Sequence, residues 1–214
     1  MALILWKVRD VARFGERTPG QKLALKIPSG KLRIYLSILL LFILSCSTDA
    51  FLILRAQELG VRPVFLPLIW MVLHLVKMST TLPFGILSDK IGRRRVILAG
   101  WIVYTLVYLG FAMASKIWHA WALFIVYGLF YGFTEGSERA ILADYAGAAE
   151  RGQAFGWYYF VVGLVSLPAS LLFGFLWQGW GSHTAFFVSA CISAAAAFLL
   201  FLFLQFVPSA AGTN

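Results

Sequence analysis

Seven ionisable side chains lie inside long apolar stretches of this sequence: Asp49, His74, Lys77, Glu135, Glu138, Arg139 and Asp144. A charge in such surroundings is costly, so each is expected to face a cavity or another charge. Their spacing limits the chemistry. His74 and Lys77 are three apart and share a helix face with Thr81, a stripe suited to touching an anionic or hydroxylated solute. The bland alternative is a lysine paired only to stay buried, beside a histidine bonded to a backbone carbonyl. Glu135, Glu138 and Arg139 are spaced i, i+3 and i+4, with the acid ahead of the base in the favourable order.

The elements that carry these groups follow from composition. The chain has 214 residues, 61% of them apolar and 13% charged, with a mean hydropathy of +0.83. The apolar residues come in runs near the roughly 20 residues that cross a bilayer. Alternating ten-residue segments are missing, which argues against a membrane barrel. The expected fold is therefore an all-α polytopic membrane protein with three segments: a basic cytoplasmic stretch over 1–33, a six-helix domain over 34–206, and a short tail over 207–214. The spans run about 34–54, 64–84, 96–113, 118–145, 154–177 and 185–206, with Pro168 expected to bend the fifth. Met1 to Phe14 has its charges after a short apolar start, unlike a signal peptide. It suits a short amphipathic helix at the headgroups. The Trp residues, Trp101 among them, are expected in the interfacial belt.

Charge sets the orientation. With both termini inside, inner segments hold thirteen of the eighteen Lys and Arg residues, and outer loops hold Arg55, Arg62 and Lys116. That bias places both ends in the cytoplasm, in a multi-pass protein of the cytoplasmic (inner) membrane. The net charge of +9 is what this rule deposits on inner loops, so no nucleic-acid partner is expected. Cys46 and Cys191 each sit in an apolar run and indicate neither a disulfide framework nor a metal cluster; no cofactor is indicated. His-Glu-x-x-His, Gly-x-Ser-x-Gly and Gly-x-x-x-x-Gly-Lys-Ser/Thr patterns do not occur, so the sequence does not read as an enzyme or a nucleotide-driven pump.

Depth follows from the 1.5 Å rise per residue. Lys77, entering from outside, lies roughly 20 Å down and Glu135 roughly 25 Å, so the two can pair. Asp49 lies roughly 21 Å from the inner face, about 10 Å from the level of Lys77.

Between the second and third spans stands Gly85-Ile86-Leu87-Ser88-Asp89-Lys90-Ile91-Gly92-Arg93-Arg94-Arg95. Gly85 is expected to allow a close helix approach and Gly92 to supply the turn. This stretch resembles the signature loop of the major facilitator superfamily (MFS) of secondary transporters. Arg55 to Gly60 and Glu150 to Gly156 resemble corresponding stretches of bacterial members. The loop occurs once here, whereas the family carries it in both six-helix halves. The resemblance implies the C-terminal half of an MFS transporter, six transmembrane helices as a 3+3 inverted repeat, with Met1 to Asp10 as the tail of a preceding helix. It implies movement of a small-molecule solute by alternating access, ion (proton) coupled. The partners implied are the lipid bilayer and another six-helix unit, either an N-terminal half or a second copy. A truncated gene product or a non-transporting scaffold remains the alternative.

The resemblance also assigns roles. Asp89, Arg93, Arg139 and either Glu138 or Asp144, with Gly85, Gly92 and Arg94 of the loop, would form the charge network that latches the cytoplasmic gate. A static cluster anchoring the loop is the plainer reading. From burial and depth, and not from the resemblance, Asp49, His74, Lys77 and Glu135 are the candidates for the solute or proton pathway, with Glu135, deeper and one turn from Arg139, the candidate coupling carboxylate. Gly156, Gly163 and Pro168 do not reproduce the Gly-Pro-x-x-Gly-Gly pattern of drug–proton antiporters.

Overall fold

The computed structural model describes residues 30–146 and 150–206. The expected N-terminal helix, most of the basic stretch and the tail from 207 onward lie outside these residues. The described residues form helices and no strand. They are α1 (Lys31–Ser45), α2 (Asp49–Glu58), a 3₁₀ turn (Pro63–Phe65), α3 (Leu66–Ile91), α4 (Arg93–Met113), α5 (Ile117–Tyr145) and α6 (Arg151–Phe206). Five stretches are long and apolar enough to cross a membrane, with α1 and α2 together forming the first.

The first stretch is not the continuous helix that its apolar run predicts. Cys46 and Thr48 are extended, with ψ of 120° and 145°. Local and tertiary bonds combine to break it. The Ser45 hydroxyl and the Cys46 thiol both donate to the Phe42 carbonyl, at 2.5 and 3.4 Å. Such bonds compete with the helix ladder. Tyr104 on α4 then donates to the Ser45 carbonyl at 3.0 Å, and the Tyr108 hydroxyl meets Ser47 Oγ at 3.0 Å. Interrupted backbone survives at membrane depth only when neighbouring groups satisfy it in this way.

The basic hairpin is shorter than its sequence suggests. Gly85 to Ile91 continue α3 as helix, and Gly92 alone turns the chain, at φ 98° and ψ 129°. Only glycine takes that conformation cheaply. Gly85, by contrast, is not a close-approach point, because a Cβ built there meets nothing within 4 Å.

At 56 residues, α6 is too long for one crossing, roughly 84 Å at 1.5 Å per residue. Gly181, at φ 84° and ψ 169°, divides it into two helical segments. That break falls in the gap between the spans expected at 154–177 and 185–206, while helical dihedrals continue through Pro168.

Helix α4 is the hub, packed on α5 along one side and on α6 along the other, while α1 lies on α6 and α3 on α5. Trp101, Tyr104, Tyr108 and Phe111 of α4 are fully buried. Trp101 stacks on Phe42 at 4.1 Å, Tyr104 on Tyr108 at 4.1 Å and Phe111 on Phe186 at 5.2 Å. Each such pair is worth about 0.5–1.5 kcal/mol beyond its area. Trp101 is therefore a core residue and not part of an interfacial belt. The α3–α5 seam works differently. A Cβ on Gly128 would come within 2.8 Å of Val76 Cβ and 3.0 Å of the Leu73 carbonyl oxygen. Close backbone approach replaces large side chains there.

Candidate functional site

Two helices that touch through glycine bring their charged residues together one turn further on. Lys77 of α3 and Glu135 of α5, matched by depth in the sequence, meet at 3.0 Å, each about one-third exposed. Arg139 reaches the other oxygen of Glu135 at 3.5 Å. Glu135 thus lies between two cations. The Lys77 Nζ also sits 4.6 Å from the centre of the Tyr131 ring, within cation–π range.

These groups line a cavity of about 290 Å³ that also admits Asp49, Tyr104, Tyr127 and Glu138. Asp49, the first residue of α2, enters it because the interruption at 46–48 brings the new helix start to the cavity wall. Its carboxylate accepts from Tyr127 Oη at 3.0 Å and from Tyr131 Oη at 3.2 and 3.1 Å. Tyr131 therefore links the two parts of the site, with its ring toward Lys77 and its hydroxyl on Asp49. These tyrosines do not stand out among the charged residues of the sequence. Their signal was present, since Tyr127, Tyr131, Glu135 and Arg139 recur every four residues on one face of α5.

His74 is exposed, and its Nδ1 lies 3.0 Å from the Trp70 carbonyl oxygen. With Lys77, Thr81, Asp89 and Arg93 it lines a second, wider groove between α3 and α5.

The basic turn forms a separate cluster. Arg93 bonds Asp144 at 2.6 Å and Asp89 at 3.6 Å, and donates to the Ala140 carbonyl at 3.2 Å. Arg94 lies 5.4 Å from the centre of the Tyr145 ring. Of the two acids considered for this network, Asp144 joins it and Glu138 does not. Glu138 accepts from Trp101 Nε1 at 3.3 Å and Tyr158 Oη at 2.8 Å. Arg139 turns to Glu135 instead of the loop. The single network inferred from the sequence is two in the structure, one at the Gly92 end of the bundle and one in the cavity. Among the described residues no group of His, Cys, Asp or Glu could hold a metal ion.

A third polar cluster was not anticipated. Arg55, assigned from sequence to an outer loop, is 4% exposed. Its Nε donates to the Phe111 carbonyl at 3.2 Å and its Nη2 to the Ala114 carbonyl at 2.8 Å. Nη1 bonds Glu58 at 2.9 Å and Ser182 Oγ at 3.0 Å, and Nη2 reaches His183 Nε2 at 3.3 Å. His183 in turn donates from Nδ1 to the Ala112 carbonyl. One guanidinium joins the end of α2, the end of α4 and the break in α6.

A multi-pass helical membrane protein with ion pairs inside a cavity is the class that this fold and site define. The family model described as Major Facilitator Superfamily matches residues 32–214, and the chain belongs to that superfamily. It is 37% identical over 178 residues to an uncharacterised MFS-type transporter of Methanocaldococcus jannaschii, covering 80% of this chain and 45% of that protein. Over 119 residues it is 30% identical to the class B tetracycline resistance protein of Escherichia coli, covering 56% of this chain and 29% of that one. The crystal structure of an auto-inhibited POT family peptide transporter superposes with a TM-score of 0.62 at 15% identity, over 86% of this chain and 39% of that one. That likeness concerns the fold alone. The chain spans less than half the length of each of these relatives.

Proposed function

We propose that this chain acts as the C-terminal half of an MFS-type secondary transporter. In this reading it moves a small solute across the cytoplasmic membrane by alternating access, coupled to protons, after joining another six-helix unit. The observation that carries the reading is the Lys77–Glu135–Arg139 group in a cavity between two long apolar helices, with Lys77 and Glu135 about one-third exposed and Arg139 more open. A fold has little reason to keep such charges there for stability alone. Counting α6 as two crossings at Gly181 gives six spans, consistent with a 3+3 inverted repeat and cytoplasmic termini. The outward face of α3, with Leu75, Met78, Leu82 and Ile86 exposed, suits either lipid or a second six-helix unit.

Purification from native membranes in mild detergent is expected to yield this chain with a second six-helix chain, or as a homodimer, and reconstituted particles are expected to support solute flux. A lone monomer without flux would instead favour a truncated or scaffolding protein. Coupling has its own test. Glu135→Gln is expected to abolish pH-driven uptake while leaving counterflow exchange intact, because only net proton movement needs the carboxylate. An unchanged pH-driven rate removes Glu135 from that role.

A further inference from the structure

Two helix faces that border the cavity stand open. On α3 the wall of the adjoining groove carries His74, Met78, Thr81 and Gly85, spaced four, three and four. On the first segment of α6, before Gly181, Tyr159 and Ser166 line the cavity itself. There Tyr159, Gly163, Ser166 and Ser170 are spaced four, three and four as well. Such alternation is that of a helix–helix seam. Met78 and Tyr159 project from these faces, 76% and 54% exposed. Gly85 and Gly163 are hollows, since a Cβ built on either meets nothing within 4 Å.

From this match we infer that the two faces form a twofold seam with a second copy of this chain, which closes the cavity. The inference rests on the transporter reading above and names the unit that completes its site. A second copy in the same membrane orientation sets α3 of one against the first α6 segment of the other, and the reverse. The two helices cross the membrane in opposite directions. One register then pairs Gly85 with Tyr159, Thr81 with Gly163, Met78 with Ser166 and His74 with Ser170. Each projecting side chain meets a small residue, the packing that draws helices together in a bilayer. The same register aligns the helix ends. Ile91, the last residue of α3, falls opposite Gln153, close to the start of α6 at Arg151. Leu66, its first, falls opposite Gln178, just before the break at Gly181. Lipid is a poorer cover, because the cavity between these faces carries Lys77, Glu135 and Arg139, the last with its side chain 57% exposed. Hydrocarbon excludes such groups. Charge does not oppose the joining either. Each cavity carries Lys77 and Arg139 together with Asp49, Glu135 and Glu138, so no block of one sign faces another.

Two differently tagged versions of the full chain, one Met78→Cys and the other Ser166→Cys, co-expressed and oxidised in native membranes, test the seam. The control pairs Met78→Cys with Leu171→Cys, an exposed position on another side of the same helix. A disulfide needs Cα atoms within about 7 Å, so the seam pair is expected to give at least about fivefold more mixed dimer than the control. The natural Cys46 and Cys191 are present in both pairings and set the background. Gly163→Leu is the second variant and serves if a cysteine variant fails to fold. The space at Gly163 is open within one chain, so the variant should fold normally. By filling the hollow opposite Thr81 it should still lower the dimer fraction at least about tenfold. A natural chain that purifies as a monomer, a seam pair no better than the control, or an unaltered dimer in Gly163→Leu overturns the inference. So does capture of Met78→Cys by a different six-helix chain, which would leave the transporter reading standing. A seam-linked dimer without solute flux would do the reverse.

Discussion

Arg55→Ala is expected to lower the melting temperature of the purified chain by roughly 10 °C, or to prevent its recovery as a monodisperse particle. The substitution removes one side chain and strands many partners. The carbonyls of Phe111 and Ala114 lose their donors, and Ser182, His183 and Glu58 lose theirs. Breaking one buried charged group from its partners costs about 3–5 kcal/mol, and here the partners belong to three separate segments. Arg55→Lys tests the geometry. It keeps the charge but has no planar fork to reach two carbonyls, a hydroxyl and an imidazole together. The lysine variant should therefore recover less than half of the loss. Thermal unfolding followed by size-exclusion chromatography would measure both, and an unchanged midpoint for Arg55→Ala would show that the cluster holds nothing together.

Gly128→Leu should have a comparable effect through packing alone. At Gly128 the first side-chain carbon would already lie 2.8 Å from Val76 Cβ and 3.0 Å from a backbone oxygen of α3. A backbone cannot move aside as a flexible side chain can, so α3 and α5 must separate. Overpacking of this kind costs about 1–3 kcal/mol, and a bulky branched residue belongs at the upper end. Gly132 adds to the constraint, since a Cβ there lies 2.9 Å from Thr80 Cβ and from the Phe84 ring. Separation also pulls Lys77 from Glu135, so Gly128→Leu should weaken any Glu135-dependent proton coupling along with stability. Gly136→Leu is the internal control. It is eight residues further along the same helix than Gly128 and a Cβ there meets nothing within 4 Å, so its midpoint should hardly change. Leu is the better helix former at both positions, so equal losses in the two variants would show that the seam is not their cause.

What the sequence disclosed and what it concealed divide along physical lines. Hydropathy places the crossings, and the one-dimensional rise of a helix is enough to match Lys77 with Glu135. Gly92 is legible because the chain must reverse there and few residues accept φ 98°. The interruption at 46–48 is only half legible: Ser45-Cys46-Ser47-Thr48-Asp49 breaks the apolar run with small polar residues, but the decisive donors come from Tyr104 and Tyr108, about 60 positions away. Arg55 misleads for a related reason. Proximity to a span end suggests solvent, whereas its partners arrive from residues 111–114 and 182–183. For Glu138 the sequence offered Arg139 and the basic loop as neighbours, but helix rotation turned it toward the indole of Trp101. Residue type and depth are local properties; azimuth around a helix is set by packing.

The turn at Gly92 also bears on how force passes through the bundle. A single residue joins two helices of 26 and 21 residues, and Arg93, on its far side, is tied to Asp144 of α5. A linkage this short has no slack. Any tilt of α3 that opens or closes the cavity around Lys77 must be taken up at Gly92 within one pair of dihedral angles, or passed on to α4 as a rigid crank. Since α4 packs on both α5 and α6, a displacement of the exposed helix that Gly92 does not absorb would bear on both of them.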